Sequence, residues 1–370
     1  MSASSPARSP SHGVEIALRH RQGAFTLDVE FASDARLIAL FGRSGCGKTT
    51  LARAVAGLIR PAEGRIVIDG RVLFDSRAGL CLPAWRRRIG VVFQEARLFP
   101  HLSVRQNLLY GRLFAPRGRQ AARLDAVVDM LGIGHLAGRR PAMLSGGEKA
   151  RVAIGRALLS DPAILIMDEP FAALDEARRQ EILPHVERLR DEAGLPILYV
   201  SHSVSEVVRL APETVALVDG RISAIGRTAD VLGSRAHGGE PGTVLEGIVA
   251  GDDEAAQDRA DGLSRVATPA GPLLLPRVRT AAGRPLRLFV PARDVTLALA
   301  RPAGISALNV LAGTVETVTE GAEGMDIGVR CGAARVQARI TRRSCRALGL
   351  APGSAVFALI KAVALDQAGG

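Results

Sequence analysis

The chain has 370 residues, of which 47% are hydrophobic and 4% aromatic, and it carries a formal net charge of +11. This length and hydrophobic content predict two or three globular domains and exclude an intrinsically disordered chain. The scarcity of aromatic side chains and the scatter of the arginines argue against a nucleic-acid partner, although the charge alone would allow one. The four cysteines show no Cys-x-x-Cys spacing, so the sequence indicates neither a disulfide framework nor a metal site.

The sequence predicts no targeting segment and no membrane-spanning helix. Residues 1–13 are rich in Ser, Pro and Ala without an apolar core, which predicts a disordered tail rather than a signal peptide. Nowhere does the chain reach the run of about 18 apolar residues that a spanning helix requires. We therefore expect any association with a membrane to be peripheral.

The first two thirds of the chain alternate between short apolar runs and helical segments. The runs at 164–167 and 197–200 are continuously apolar, which is typical of strands buried on both faces. The alternation predicts a mostly parallel sheet covered by helices. Asp-Gly pairs at 69–70 and 219–220 predict tight hairpins. The predicted strands lie at 14–18, 25–29, 37–41, 65–68, 71–74, 89–93, 164–167, 197–200, 215–218 and 221–225.

A glycine-rich segment stands between the predicted strand 37–41 and the helical residues after it. Its glycines allow backbone N–H groups to turn toward phosphate oxygens, and the positive end of the following helix dipole faces the same anion. Lys48 is expected to reach the terminal phosphates, and the hydroxyl of Thr49 is expected to ligate Mg²⁺. The predicted nucleotide-binding residues are Gly42, Arg43, Ser44, Gly45, Cys46, Gly47, Lys48, Thr49 and Thr50.

Polar side chains follow three other predicted strands. Asp168 and Glu169 end one of them, and sheets of this type bind ligands at the carboxyl ends of their strands. Asp168 is predicted to hold Mg²⁺ through its water shell, and Glu169 to polarise the water that attacks the terminal phosphate. Gln94 and His202 follow two further strands, where Gln94 would sense Mg²⁺ and water.

A second anion-binding helix start is predicted at Ser145, Gly146 and Gly147. These residues lie just ahead of a helical run that begins near Lys149. A hydroxyl and free backbone N–H groups therefore gather at the N-terminus of that helix.

Taken together and in this order, the segments resemble the motifs of ABC-transporter ATPase subunits over residues 14–232. The family has a Walker A loop, a Q-loop, an LSGGE signature, a Walker B motif with its catalytic glutamate, and a switch histidine. The matching positions are residues 42–49, Gln94, residues 144–148, residues 164–169 and His202.

The resemblance implies an α/β P-loop NTPase domain that binds ATP and Mg²⁺, with catalytic roles for Glu169, His202 and Gln94. The Mg²⁺ ligands would be Thr49, Gln94 and Asp168. It also implies a head-to-tail homodimer, in which the phosphate loop of one subunit and residues 145–147 of the other enclose each ATP. Hydrolysis would then move two attached membrane permease subunits.

The adenine contact departs from the family pattern. The family usually stacks adenine on an aromatic residue upstream of the phosphate loop, whereas this chain has Arg19, His20 and Arg21 in that neighbourhood. Phe25 is the nearest aromatic residue. What stacks on adenine stays open, and the planar side chains of His20 and Arg21 are the candidates.

The composition changes after about residue 232. A glycine-rich linker at 233–243 precedes short strands separated by turn signals, which predicts an all-β region with one module at 244–300 and another at 304–367. The stretch 305–315 resembles the opening of an OB-like, molybdate-binding (Mop-type) domain, whose pattern is Ser-Ala-Arg-Asn-x-Leu-x-Gly-x-Val.

An oxyanion such as molybdate needs N–H and hydroxyl donors with little competing negative charge. Ser306, Asn309 and Lys361 are the predicted donors, and Leu308 stands where the Mop pattern has arginine. Molybdate binding by this region and a purely structural or dimerising role therefore both stay open.

The two resemblances together imply the ATP-hydrolysing subunit of a bacterial molybdate importer, peripheral on the cytoplasmic face of the inner membrane. It would contact two permease subunits and, indirectly, an extracytoplasmic molybdate-binding protein. One alternative is an importer ATPase for tungstate, sulfate, iron or a polyamine, which the Ser-Ala-x-Asn start at 306–309 disfavours. The other is a molybdate-binding storage or regulatory protein with a relic ATPase, which the intact Lys48, Asp168, Glu169 and His202 disfavour.

Overall fold

The structure, a computed structural model, divides the chain into two compact units. The first contains residues 1–202 and 210–225, and the second contains residues 203–209 and 226–370. None of the helices in the described part of the chain is long and apolar enough to cross a membrane. The described residues are 13–114, 124–234, 237–239, 241–251, 258, 260–278, 281–321, 324–362 and 366–368.

An eleven-stranded sheet forms the centre of the first unit, with strand order β6-β5-β4-β1-β2-β11-β10-β3-β9-β8-β7. The neighbours β10, β3, β9, β8 and β7 are parallel, which confirms the α/β class predicted from the alternating pattern. The strands are β1 Val14–Gln22, β2 Phe25–Ser33, β3 Leu37–Phe41, β4 Glu63–Ile68, β5 Arg71–Asp75, β6 Leu80–Cys81, β7 Ile89–Val92, β8 Ile164–Asp168, β9 Ile197–Ser201, β10 Glu213–Val218 and β11 Arg221–Arg227.

Helices connect the strands of the parallel half. Every residue of β3, β8 and β9 is buried, which is the pattern expected of strands covered on both faces of a sheet. Short 3₁₀ turns lie at Gly111–Phe114, Gly134–Leu136 and Pro141–Met143. The helices are α1 Lys48–Ala56, α2 Ala84–Arg87, α3 Val104–Tyr110, α4 Leu124–Leu131, α5 Gly146–Leu158, α6 Glu176–Glu192, α7 Val204–Leu210 and α8 Thr228–Gly233.

The pairing register aligns the carboxyl ends of the central strands. Phe41 at the end of β3 pairs with Ser201 at the end of β9, and Asp168 at the end of β8 pairs with Val200. The residues that follow these three strands therefore meet at one edge of the sheet, as expected for a site of this fold class.

Both Asp-Gly hairpins form as predicted. Asp69 and Gly70 have φ of 50° and 70°, and Asp219 and Gly220 have φ of 48° and 79°. Positive φ at both central residues suits a two-residue turn whose twist matches that of the flanking strands.

The second unit is rich in β-structure and contains two five-stranded sheets, ordered β14-β13-β12-β15-β21 and β16-β20-β17-β18-β19. A short helix, α9 Arg342–Ala347, lies among the strands. The strands are β12 Gly242–Val249, β13 Leu263–Thr268, β14 Gly271–Pro276, β15 Pro285–Pro291, β16 Val295–Ala298, β17 Asn309–Gly321, β18 Gly324–Cys331, β19 Ala334–Ile340, β20 Ala355–Ile360 and β21 Asp366–Ala368.

The two sheets exchange strands across the predicted module division at 300–304. β16 lies before that division and pairs with β20, whereas β21 lies after it and pairs with β15. One hydrophobic core includes side chains from both sides, among them Leu245, Val266, Leu311 and Ile327.

The module boundaries stay a prediction. β12 begins inside the predicted linker, and the predicted tail lies outside the described residues except for its last position.

Arg87 fixes the C-terminal end of α1. Its side chain is 1% exposed, and its Nη1 donates to the carbonyls of Ala54 and Val55, each at 2.8 Å. Its Nε donates to the carbonyl of Leu82, also at 2.8 Å. The last carbonyls of a helix have no partner within the helix and form the negative end of its dipole, so a cation there is favourable. Burial lowers the pKa of this guanidinium.

We expect Arg87→Met to lower the free energy of unfolding by about 3 kcal/mol, because the carbonyl of Val55 loses its side-chain donor and that of Ala54 keeps only the N–H of Gly57. Urea unfolding of the full-length chain, followed by circular dichroism, measures the change. Arg86→Met is the matched control, since Arg86 is exposed and its guanidinium lies 4.7 Å from the ring centroid of Trp85. The control should change stability by less than about 0.5 kcal/mol. Equal effects of the two variants would contradict the anchoring role.

Candidate functional site

The residues after β3 form a tight loop that ends where α1 begins. Gly42, Gly45 and Gly47 have φ of 153°, 85° and 106°, values that favour glycine. At Gly47, a Cβ would lie 2.9 Å from side-chain atoms of both Leu27 and Phe25. Gly47 is the N-cap of α1 and provides no side-chain cap. The N–H groups of the first turn therefore remain available to an anion.

Lys48 is buried, yet its ammonium has partners. Nζ donates to the carbonyls of Gly42 at 2.7 Å and Arg43 at 3.0 Å, and it lies 3.7 Å from Oε1 of Glu169. An ammonium has three donors, so these groups satisfy it in the absence of a phosphate. A phosphate that enters the loop must replace at least one of them.

Thr49 and Asp168 join α1 to the end of β8. Thr49 Oγ1 donates to Asp168 Oδ1 at 3.0 Å. Burial raises the pKa of Asp168, while the hydrogen bond from Thr49 acts in the opposite direction. A hydroxyl and a carboxylate oxygen placed together are ligands that Mg²⁺ accepts, so the donor set fits that ion.

Glu169 connects Lys48 to His202. Its backbone has a φ of 47°, and its N–H donates to the carbonyl of Val200 at 3.0 Å, which turns the chain out of β8 toward the end of β9. Oε2 of Glu169 lies 3.2 Å from Nδ1 of His202. The carboxylate thus has a cation on one oxygen and an imidazole on the other, while 18% of its side chain remains accessible to water.

Gln94 lies at the same sheet edge but outside this connected set. It follows β7, whose last residue Val92 pairs with Met167 of β8. The side chain of Gln94 is exposed, and within the described part of the chain it makes no hydrogen bond to the groups around Lys48. Its predicted contact with Mg²⁺ stays a prediction.

The predicted second anion site is the N-terminus of α5. Ser145 is the N-cap, and its Oγ accepts from the N–H of Glu148 at 3.3 Å. The N–H of Ser145 donates to Oε2 of Glu148 at 2.7 Å, which lowers the pKa of that carboxyl. Because the Ser145 hydroxyl acts as an acceptor here, its own proton is free to donate to an anion. Gly146 and Gly147 form the first turn beside it.

The other predicted loop residues occupy distinct positions. Arg43, Ser44 and Gly45 form the exposed tip of the loop, whereas Thr50 is half-buried in the first turn of α1. Cys46 is buried with its Sγ 4.0 Å from Nζ of Lys48, and burial raises its pKa. The raised pKa disfavours the reactive thiolate form of this side chain.

Phe25 supports the loop, a contribution that sequence reasoning missed. Its ring packs beneath both Gly47 and Gly220, where added Cβ atoms would lie 2.9 Å and 3.1 Å from Cζ. Of the predicted adenine partners, His20 is half-buried and Arg21 is exposed. In the sequence, the signal for Phe25 was its place as an aromatic residue at the start of a strand that follows a glycine turn.

Asn309 of the Mop-like pattern is already satisfied by backbone groups. Its side chain is 3% exposed, Oδ1 accepts from the N–H of Leu274 at 2.7 Å, and Nδ2 donates to the carbonyl of Leu274 at 2.9 Å. The amide therefore fastens β17 to β14 instead of facing a ligand. The other two predicted donors, Ser306 and Lys361, are exposed.

Comparisons with known proteins match most of the chain. The ABC transporter family model matches residues 27–172, and the TOBE domain model matches residues 305–366. The Molybdenum import ATP-binding protein ModC of Rhizobium etli is 52% identical over 355 residues, which cover 95% of this chain and 99% of that protein. The protein of the same name from Mesorhizobium japonicum is 51% identical, with 96% of each chain covered.

One solved structure supports the fold of the first unit. The cbiO1 protein of Clostridium perfringens, part of the ABC transporter complex cbiONQ, is 28% identical to this chain. It aligns with a TM-score of 0.52 and covers 61% of this chain and 92% of its own.

We expect Asn309→Ala to lower the free energy of unfolding by about 2 kcal/mol, because the half-buried N–H and carbonyl of Leu274 lose their partner. Chemical denaturation of the full-length chain measures the change. Ser306→Ala, an exposed position of the same pattern, should change it by less than about 0.5 kcal/mol. A stable Asn309→Ala protein would show that the amide is not a structural link.

Proposed function

The chain belongs to the family of molybdenum import ATP-binding proteins, and we propose that it is the ATP-hydrolysing, energy-coupling subunit of an ABC importer for molybdate. The observation that carries the proposal is the connected set of Lys48, Thr49, Asp168, Glu169 and His202 at one edge of the sheet. This set combines a phosphate-binding cation, oxygen ligands for a metal ion and a carboxylate base. Those are the groups that phosphoryl transfer to water requires.

Nucleotide binding begins at the loop before α1. Backbone N–H groups of the first turn and the ammonium of Lys48 receive the phosphates, and Lys48 exchanges the carbonyls of Gly42 and Arg43 for phosphate oxygens. Thr49, Asp168 and Gln94 would hold Mg²⁺ beside them. When bound, the ion neutralises charge that develops on the phosphate oxygens.

Glu169 is the proposed general base. Its carboxylate accepts a proton from the attacking water while His202, in contact with the other carboxylate oxygen, orients it. Removal of Lys48 from Glu169 by an entering phosphate would leave the carboxylate free to engage that water. The hydrolytic step is thus prepared by nucleotide binding itself.

A second copy of the chain completes each site. Residues 145–147 form a helix start with a free hydroxyl proton and unpaired first-turn N–H groups, as a terminal phosphate needs. Within the described residues no hydrogen bond joins this helix start to its own phosphate loop. We propose that the two copies pair head to tail, so that residues 145–147 of one face the loop of the other.

The remaining partners follow from the importer role. We propose that the homodimer binds two permease subunits at the cytoplasmic face of the inner membrane, and that an extracytoplasmic binding protein delivers molybdate to them. Tungstate stays an alternative cargo, since it has the same charge and shape. Because the Asn309 amide is engaged with Leu274, any oxyanion at the second unit would need donors other than this side chain.

Uptake of molybdate by cells that make this chain with its permease tests the cargo. We expect accumulation of cellular molybdenum that is lost in Lys48→Ala, and competition by tungstate but not by sulfate. Competition by sulfate with no effect of tungstate would contradict the assignment of cargo while leaving the ATPase role intact.

We expect Glu169→Gln to lower kcat for ATP hydrolysis by at least about 100-fold, because an amide cannot accept the proton of water. ATP binding should persist, since the substitution keeps the shape of the side chain and leaves the loop intact. Phosphate release and titration with a fluorescent ATP analogue measure the two quantities. Glu181→Gln, at an exposed position on α6, is the control and should hydrolyse ATP normally. Substantial hydrolysis by Glu169→Gln would rule out Glu169 as the base.

A further inference from the structure

One side chain of α5 fastens the segment that follows Gln94. Arg156 donates from Nη1 to the carbonyl of Arg97 at 2.9 Å and from Nη2 to the carbonyl of Ala96 at 3.2 Å. Its guanidinium also lies 5.3 Å from the ring centroid of Phe99. The planar fork of a guanidinium can hold two adjacent carbonyls at once, which a lysine ammonium does less well.

The carbonyl that Arg156 binds belongs to a residue in an unfavourable conformation. Arg97 has a φ of 44°, in the left-handed region, where a residue other than glycine persists only with support from its surroundings. The guanidinium of Arg97 lies 4.3 Å from the ring centroid of Phe93, the residue directly before Gln94. A contiguous series of contacts therefore runs from Arg156 through Arg97 and Phe93 to Gln94.

Asn107 holds the far end of the same segment. This side chain is 0% exposed, and its Oδ1 accepts from the N–H of Phe99 at 2.9 Å. Its Nδ2 donates to the carbonyls of Leu102 at 3.2 Å and Ser103 at 3.0 Å. The course of residues 99–103 is thus set by α3, and Arg156 supplies the attachment nearest to Gln94.

The same helix connects two parts of the proposed catalytic cycle. α5 begins at the Ser145 turn, which would face the nucleotide of the partner copy, and carries Arg156 in its last turn. A hydrogen-bonded helix moves as a rigid element, so a shift at one end displaces the other. We propose that Arg156 is a positioning residue that places Gln94 at the nucleotide and couples it to the Ser145 end of α5. The inference rests on the proposed function, in which Gln94 contacts Mg²⁺ and the attacking water.

A double-mutant cycle in the full-length chain tests this role, using Gln94→Ala, Arg156→Lys and the combined variant. Because a catalytic group misplaced by about 1 Å can cost about 100-fold in rate, we expect Arg156→Lys to lower kcat on the order of 10-fold. It should also raise the Mg²⁺ concentration needed for half-maximal hydrolysis. In the Gln94→Ala background, Arg156→Lys should have no further effect beyond about twofold, since it acts through Gln94.

Two further variants separate positioning from folding. Arg97→Asn introduces a residue type that tolerates the left-handed region, and it removes the contact of the guanidinium with Phe93. It should reproduce the Mg²⁺ defect without lowering the thermal midpoint. Arg88→Lys is the matched control, because Arg88 precedes the same strand β7 at its opposite end and its Nη2 donates to the carbonyl and carboxylate of Asp161, each at 2.7 Å. It should leave the Mg²⁺ dependence unchanged.

The outcomes distinguish this inference from the proposed function. If Gln94→Ala lowers kcat and the combined variant loses the sum of the two single losses in activation free energy, Arg156 does not act through Gln94. That result would overturn the positioning role and leave the ATPase assignment standing. A normal Mg²⁺ dependence in both Arg156→Lys and Arg97→Asn would do the same. Wild-type hydrolysis by Gln94→Ala would overturn the role of Gln94 itself, and the inference with it.

Discussion

The buried ammonium of Lys48 is the interaction on which the candidate site depends. A charge removed from water is costly unless nearby groups compensate it, and here two loop carbonyls and the carboxylate of Glu169 do so. Because Glu169 also contacts His202, the loop after β3 and the ends of β8 and β9 form one electrostatic unit. If Lys48 receives a phosphate as proposed, the surroundings of the proposed base would change, and nucleotide binding would be linked to the chemistry.

The N-termini of α1 and α5, the two predicted anion sites, are capped in different ways. The N-cap of α1 is Gly47, which has no side chain, so its first turn keeps N–H groups open to a ligand. The N-cap of α5 is Ser145, which forms a capping box with Glu148 through two reciprocal hydrogen bonds. This helix start is therefore ordered without a ligand. This difference suits the proposed pairing of two copies. The N-terminus of α1 would be completed by the nucleotide, and the preformed N-terminus of α5 in the other copy would meet that nucleotide.

The second unit shows how one sequence pattern supports two interpretations. The Mop-like stretch includes Asn309, which the pattern predicts as an anion donor. Its amide instead hydrogen-bonds the backbone N–H and carbonyl of Leu274 in β14, as a neighbouring strand would. β16 and β21 each pair with a strand from the other side of the predicted division, which ties the two halves into one core. In this chain the Asn309 side chain therefore has a structural role, and a sensing role for the unit would depend on other groups.

Local patterns in the sequence determined the fold class, the phosphate loop, the strand-end acids and the two Asp-Gly hairpins, because each depends on residues close together in the chain. Tertiary structure alone decided the contact of Lys48 with Glu169, the support of the loop by Phe25, the attachment of Arg156 to Arg97 and the engagement of Asn309. Each of these contacts joins groups whose approach is set by strand order and helix packing. No spacing within one segment encodes such an approach, because it arises only when distant segments pack together.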